Sequence, residues 1–208
     1  MLAIIQARTN SKRFNKKVLY KIYNKPIITH VLSRVKKSKK ISKIIVATSK
    51  KKTDDILVKY LKSRKISVFR GELGNVARRM SLACDVYSQQ FFIRISADSP
   101  LIDFNLIDRA ISIYNKNRLK KIDLITNVFP KKFPKGQSVE IINNQSLKKI
   151  LNSMTHNQKE HVTKYFYDNY KKFKIINFEP RAKIKNIKLS IDNKSDLLNI
   201  LKTYDKKQ

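Results

Sequence analysis

Arg8, Arg13 and Lys17 stand five and four residues apart just beyond the short apolar run Leu2 to Ile5. Two guanidinium forks and one ammonium at that spacing, in a loop that folds back on itself, suit a polyphosphate, and Ser11 adds a hydroxyl donor. The loop carries neither the glycine fingerprint of a dinucleotide site nor the glycine-lysine signature of a P-loop. Side-chain cations must therefore carry what backbone amides carry in those motifs. The competing account is a solvated basic turn in a lysine-rich chain; arginine, the scarcer cation here, weighs against it.

A second constellation is Arg94-Ile95-Ser96-Ala97-Asp98-Ser99-Pro100-Leu101-Ile102-Asp103. A carboxylate just past a buried strand and near a cationic loop is placed to hold a divalent metal that bridges phosphate oxygens, and Mg²⁺ needs only one or two such ligands. Asp192, in Leu189-Ser190-Ile191-Asp192, is a candidate second ligand. An Asp before a helix or turn is also commonly a cap, and that account stays open for both.

These residues need a scaffold, and the apolar pattern supplies one. Leu2 to Ile5, Lys43 to Thr48, Ile66 to Phe69 and Phe91 to Ser96 read as strands. Between them lie segments of helical period: Pro26 opening a helix with Ile27, Ile28, Val31, Leu32 and Val35 on one face; Thr53 capping one with Asp54 and Asp55 in its first turn and Ile56, Leu57, Tyr60 and Leu61 inward; and a third from about Asn75 to Tyr87. Asp103 caps a fourth, with Ile107, Ala110, Ile111 and Tyr114. Strands alternating with helices predict an α/β fold: a Rossmann-like, mainly parallel sheet with helices on both faces. Beyond Asn127 the pattern loosens into Pro130, Pro134 and Gly136, a strand at Val139 to Ile142, helical stretches around residues 145 to 168, and strands near 173 to 178 and 187 to 191. A last helix carries Leu197, Leu198 and Leu201. This predicts a single domain over residues 1–208 with a small projecting element at about 128–170.

Composition bounds the rest. The chain has 208 residues, 41% hydrophobic, enough for one sizeable core. Its formal net charge of +32 favours anionic partners, although an AT-biased genome yields the same lysine enrichment. One cysteine, Cys84, excludes an intramolecular disulfide framework and a cysteine-based zinc cluster, which fits a reducing, cytoplasmic setting. No run approaches 18 apolar residues and Met1 leads directly into the first strand, so the expectation is an unexported protein without membrane insertion.

Taken in order, QAR-x-x-S-x-R-x-x-x-KVL, IIVATS, Arg70-Gly71 with a later Arg79, RISADSPLID, TN, PKGQSVE, EHVT and LSIDNKSDL resemble the cytidylyltransferase family, over nearly the whole chain. That family includes the activating enzymes for sialic acids and 3-deoxy-manno-octulosonate, and the likeness is greatest to the spore-coat polysaccharide branch. The resemblance implies a nucleotide-diphospho-sugar transferase type of fold and a Mg²⁺-dependent transfer of CMP from CTP to an acidic or modified sugar, with release of pyrophosphate, for surface polysaccharide synthesis. Carried over by residue, Arg8, Arg13 and Lys17 match the triphosphate cations, and Asp98 and Asp192 the metal ligands. Gln6, Ala7, Ser11, Thr48, Ser96 and Ala97 match the nucleotide pocket. Arg70, Gln137, Glu140, Glu160 and His161 fall in segments approaching the sugar, and relatives imply a homodimer.

The chain departs from the family pattern at Phe14-Asn15-Lys16, at Asn10 where glycine is usual, and at Asn75 where an acidic residue is frequent. Asn tolerates left-handed backbone, so the turn can survive. His161 has a structural account as well as a functional one, and no general base is assigned. A transferase using another nucleoside triphosphate, a non-catalytic relative and a basic nucleic-acid-binding protein are the alternatives; no RNP, helix-turn-helix or zinc-finger signature supports the last.

Overall fold

The computed structural model describes residues 1–11, 13–182, 184 and 187–205. At its centre is a seven-stranded sheet built from β1 (Leu2–Gln6), β4 (Lys43–Ser49), β5 (Ser67–Gly71), β6 (Phe91–Ser96), β7 (Leu124–Thr126), β8 (Glu140–Asn143) and β9 (Ile175–Asn177). Its order is β5-β4-β1-β6-β8-β7-β9, and every neighbouring pair is parallel except the two made by β8, which runs against both β6 and β7. A separate two-stranded hairpin joins β2 (Lys21–Ile22) to β3 (Lys25–Pro26). The central sheet thus takes one of its inner strands, β8, from the irregular second half of the chain.

Side chains alternate across each strand, so neighbouring residues enter different cores. Ala3, Ile5, Val46, Ile93 and Ile95 face one layer, formed by α1 (Ile27–Lys36), α2 (Asp55–Ser63) and α4 (Phe104–Asn117). Leu2, Ile4, Ile45, Ala47 and Phe92 face the other, formed by α3 (Val76–Val86), α5 (Asn144–Ile150) and α7 (Lys164–Asp168). Each fully buried aliphatic side chain contributes about 1.5–3 kcal/mol relative to exposure. Short α6 (His156–Glu160) precedes α7, and α8 (Asp196–Asp205) closes the chain. Leu197 and Ile200 of α8 bury with Phe14, Ile22, Ile27, Leu101, Leu189 and Ile191 in a third cluster, beneath the β1 loop.

Local chemistry sets the helix starts. Asp103 accepts from the Asn105 amide at 2.9 Å, Asn75 from Arg78 at 3.0 Å and Asn143 from Gln145 at 2.9 Å, each satisfying an otherwise orphaned donor. Thr155 and Gln158 form a reciprocal capping box on α6.

The structure differs from the sequence reading in five places, one of them the short strand β7 (Leu124–Thr126), which the apolar pattern did not predict. Thr53 makes no cap hydrogen bond and Ile56 is half exposed; a 3₁₀ turn over Lys52–Asp54 delays α2, so Leu57, Val58 and Leu61 face inward instead. Leu198 is exposed and Ile200 takes the buried position on α8. Residues 187 to 191 form no strand, only a bridge between Lys188 and Lys135, followed by the Ile191 amide donating to the Asp98 carbonyl at 2.9 Å. The β2–β3 hairpin, absent from the sequence reading, turns through Tyr23 and Asn24, both with positive φ, the geometry that matches strand twist in a two-residue connection.

Candidate functional site

The chain leaves β1 toward β4 on one side and reaches β6 on the other. The crevice beyond the carboxyl ends of β1 and β6 is therefore the switch point at which open α/β sheets bind ligands. It holds a cleft of about 310 Å³ lined by Gln6, Ala7 and Arg8 from β1 and its loop, Ser11, Arg13, Lys17 and Val18 further along, Arg94, Ser96, Ala97 and Asp98 from β6, then Glu160, His161 and Asp192. Its floor is held by backbone: the Ala97 amide donates to Gln6 at 3.0 Å and the Ala7 amide to Ala47 at 3.1 Å.

The β1 loop is shaped by its own residues. Phe14 is buried in the third cluster and packs edge-on against Tyr20, with ring centroids 5.2 Å apart. Lys16 takes the left-handed conformation (φ 53°) and its amide donates to Thr9 at 2.8 Å, closing the loop. Neither Asn10 nor Asn15 is the left-handed residue, so Phe14-Asn15-Lys16 makes its turn with an aromatic anchor and a strained lysine. Thr9 is in turn clamped by buried Asp54, which accepts from the Thr9 amide and hydroxyl, both at 2.7 Å, and from the Ser49 amide and hydroxyl. Burial opposes the Asp54 charge, but these hydrogen bonds outweigh it and hold its carboxyl below the usual range.

Cations meet carboxylates at the cleft's centre. The Lys17 ammonium, almost wholly buried, donates to Asp98 at 3.1 Å and to the Ile191 carbonyl at 2.5 Å. Asp192 faces Arg13 at 3.4 Å, Lys135 at 2.6 Å and Lys188 at 3.0 Å. Burial penalises its charge, yet Lys135 and Lys188 together keep its carboxyl well below the ordinary range. Arg8 pairs with Glu160 at 2.6 Å, and that hydrogen bond lowers the Glu160 carboxyl.

Hard oxygen donors on adjacent backbone, Asp98 and Asp192, are the donor chemistry Mg²⁺ favours. No group of three or more His, Cys, Asp or Glu able to hold a metal occurs among the described residues. A dication here would accordingly take its remaining ligands from phosphate and water, which is how Mg²⁺ is commonly held. The residues fit the ion on those terms.

Of the residues singled out from sequence, four lie outside the cleft lining. Thr48 is buried on β4 opposite Arg70. Arg70 donates to the Ser49 and Lys51 carbonyls and pairs with Asp55 at 2.7 Å, fastening the start of α2. Gln137 bridges the Asp103 amide (2.9 Å) and the Leu101 carbonyl (2.8 Å). Glu140 is buried, ion-paired to Arg94, and accepts from Thr163 and Tyr167, both at 2.6 Å.

Three residues matter more than their sequence context indicates. Arg94 lines the cleft, donates to the Gln6 side chain at 3.1 Å and is anchored by Glu140. An arginine between β-branched residues on a buried strand was the available signal. Asp54 acts as the loop clamp rather than as a first-turn charge. Arg79 is buried on α3, with Nη1 donating to the Glu72 carbonyl at 2.6 Å while Nε and Nη2 find no partner among the described residues; burial lowers its guanidinium to about 10.

Comparison with known proteins places this geometry in a lineage. Residues 2–207 match the family model described as Cytidylyltransferase. An uncharacterised protein of Methanocaldococcus jannaschii is 37% identical over 99% of this chain and 84% of its own length. The spore coat polysaccharide biosynthesis protein SpsF of Bacillus subtilis is 28% identical, covering 99% and 87%. Among solved structures, a cytidylyltransferase from Leptospira borgpetersenii superimposes with a TM-score of 0.86 at 26% identity, covering 99% of this chain and 95% of that one.

Proposed function

On the premise that this chain belongs to the cytidylyltransferase family of nucleotidyl-transferring enzymes, we propose that it transfers CMP from CTP to an acidic or modified sugar destined for a surface polysaccharide. The observation that carries this reading is the meeting of Arg8, Arg13 and Lys17 with Asp98 and Asp192 at the β1–β6 switch point. The likeness to a spore-coat polysaccharide protein supports the choice of acceptor class.

In this reading a sugar hydroxyl attacks the α-phosphorus of CTP: a new O–P bond forms, the bond to the β-phosphate oxygen breaks, pyrophosphate leaves, and the hydroxyl proton passes to solvent. Such a transfer depends on alignment and charge neutralisation. Arg8 and Arg13 reach the triphosphate from the open side of the cleft. Lys17, already fixed by Asp98 and the Ile191 carbonyl, presents its charge without reordering. Gln6, Ala7, Ser11, Ser96 and Ala97 form the nucleotide side and Glu160 and His161 the acceptor side. Asp98 and Asp192 would hold Mg²⁺, which would supply further neutralisation of phosphate charge.

The test is pyrophosphate release from CTP across a panel of acidic sugars, with ATP, GTP and UTP as alternatives. Release should require both CTP and a matching sugar, and Asp98→Asn should slow it by about a hundred- to a thousandfold. Full activity in Asp98→Asn would remove the metal assignment; equal turnover of another triphosphate would remove the specificity for CTP.

A further inference from the structure

The end of the sheet opposite the cleft has a character of its own. Parallel strands β1, β4, β5, β6, β7 and β9 all begin there, and antiparallel β8 ends there. Of the five connections entering that edge, four, residues 37–43, 63–67, 118–124 and 170–175, are dense in exposed Lys and Arg and contain a single carboxylate, Asp123; the fifth, residues 87–91, carries no charge. Asp123 is occupied internally, accepting from the Ser146 hydroxyl at 2.5 Å and the Lys174 amide at 2.8 Å. A basin of about 360 Å³ opens on this edge, with Arg118, Lys120, Lys121, Lys149 and Lys172 in its lining. None of these five forms an ion pair with a described residue, unlike the cleft cations, which are held by Asp98, Asp192 and Glu160.

Beside the basin stands Leu119, 97% exposed in the sequence Arg118-Leu119-Lys120-Lys121. An aliphatic side chain extended into water between three cations brings a nucleic acid neither a hydrogen bond to a base edge nor a ring on which a base can stack. The rings at the basin are engaged elsewhere, Phe91 against Tyr114 and Phe173 against Phe166, each with centroids 4.8 Å apart, so they offer no free stacking platform for bases. A bilayer surface of anionic phospholipid accepts both features: headgroup phosphates pair with the lysines, and the interface takes the leucine.

We propose that this edge is a docking surface for an anionic lipid bilayer, with Leu119 entering the headgroup region and the basin lysines lying on lipid phosphates. The contact is peripheral, since no helix among the described residues is long and apolar enough to cross a membrane. Docked in this way, the protein turns its cleft away from the bilayer. The proposal is independent of which nucleotide or sugar the cleft takes.

The full chain is tested by co-sedimentation with vesicles of phosphatidylcholine alone and of phosphatidylcholine mixed with phosphatidylglycerol. Binding is expected only to the mixed vesicles and should weaken with salt. Lys120→Glu combined with Lys121→Glu should reduce it by more than about 25-fold, from roughly fivefold per cation removed. The control pair Lys51→Glu and Lys52→Glu, on the cleft edge, should leave it nearly unchanged. Because the protein contains no tryptophan, Leu119→Trp provides a single tryptophan, excited selectively over the tyrosines, whose emission should shift to the blue on adding mixed vesicles. Equal losses from both lysine pairs would assign binding to diffuse charge and overturn the proposal, as would an unshifted emission in the Leu119→Trp variant. So would failure to bind mixed vesicles while single-stranded RNA binds and is lost in the Lys120/Lys121 variant. Unchanged melting temperatures and pyrophosphate release in all variants would show that only the surface was altered.

Discussion

Replacing Glu140 by Gln separates a buried support from a substrate contact. The Glu140 carboxylate is 4% exposed and touches Arg94, Thr163 and Tyr167, while Arg94 is 17% exposed and continues to Gln6 in the cleft. Burial, reinforced by the Glu140 charge, pushes the Tyr167 phenol up, so it remains a donor to the carboxylate. Removing one member of a buried ion pair typically costs about 3–5 kcal/mol. Glutamine keeps an oxygen for Thr163 and Tyr167, and Arg94 keeps Gln6 and access to the cleft, so Glu140→Gln should cost nearer about 2–3 kcal/mol. For a domain of this size each kcal/mol lowers the melting temperature by about 2–4 °C, giving a predicted fall of about 5–10 °C. Arg94→Met should be comparably damaging. The double variant should be less damaged than the sum of the two, with a coupling of about 2 kcal/mol, because no unpaired charge remains. Thermal unfolding of the four proteins, with kinetics for CTP and acceptor, measures this directly. A melting temperature unchanged within about 1 °C, accompanied by a raised KM for the acceptor alone, would refute the reasoning and place Glu140 against the sugar.

Asp54→Asn loosens the clamp on Thr9 and Ser49 and should cost about 1.5–3 kcal/mol, the scale of hydrogen bonds to a charged group. Since the folded state holds the Asp54 carboxyl below its unfolded value of about 3.9, its stabilisation is complete above that pH and is lost as pH falls through the folded value. The stability gap between wild type and variant should therefore narrow below about pH 4 in urea titrations; a constant gap would show that the charge is not responsible. Gly136→Ala should be costlier than a left-handed residue alone. At φ +97° an added Cβ would lie 2.4 Å from the Leu189 carbonyl carbon and oxygen and 2.7 Å from the Ser190 nitrogen, where only backbone movement gives relief. A loss above about 2 kcal/mol is expected. It should come with slower pyrophosphate release, because the displaced segment carries Asp192; a urea midpoint equal to wild type would contradict the close approach.

The first half of the fold was legible because its elements are stated by local pattern. Period-two and helical-period runs, Asp103 as a cap and Asn75 at the start of α3 each need only a few neighbouring residues. What failed depended on distant partners. Ile56 and Leu198 fit a helical face as well as Val58 and Ile200 do, and only the packing of α2 and α8 chooses between them. Residues 187 to 191 have the composition of a strand, but their hydrogen bonds go to Lys135 and Asp98, far away in sequence.

The cleft divides along the same line. Motif order pointed to Arg8, Arg13, Lys17, Asp98 and Asp192, and the fold brings all five to one crevice. Of the closest cations to Asp192, Lys188 lies outside every motif and Lys135 falls within PKGQSVE without a role assigned to it, so both look like any other lysine of an extremely basic chain. Charge composition cannot distinguish them, since it counts residues without locating their counter-charges. The distinction that matters is between cations already neutralised and cations left facing water. Lys17, Lys135 and Lys188 are matched to carboxylates and order a site, whereas Arg118, Lys120, Lys121, Lys149 and Lys172 form no ion pair among the described residues and line one basin on the opposite edge. Lysines unpaired among the described residues also stand at the cleft end, at Lys50, Lys51 and Lys52, so what sets the opposite edge apart is the basin with Leu119 beside it, which a lysine count cannot show.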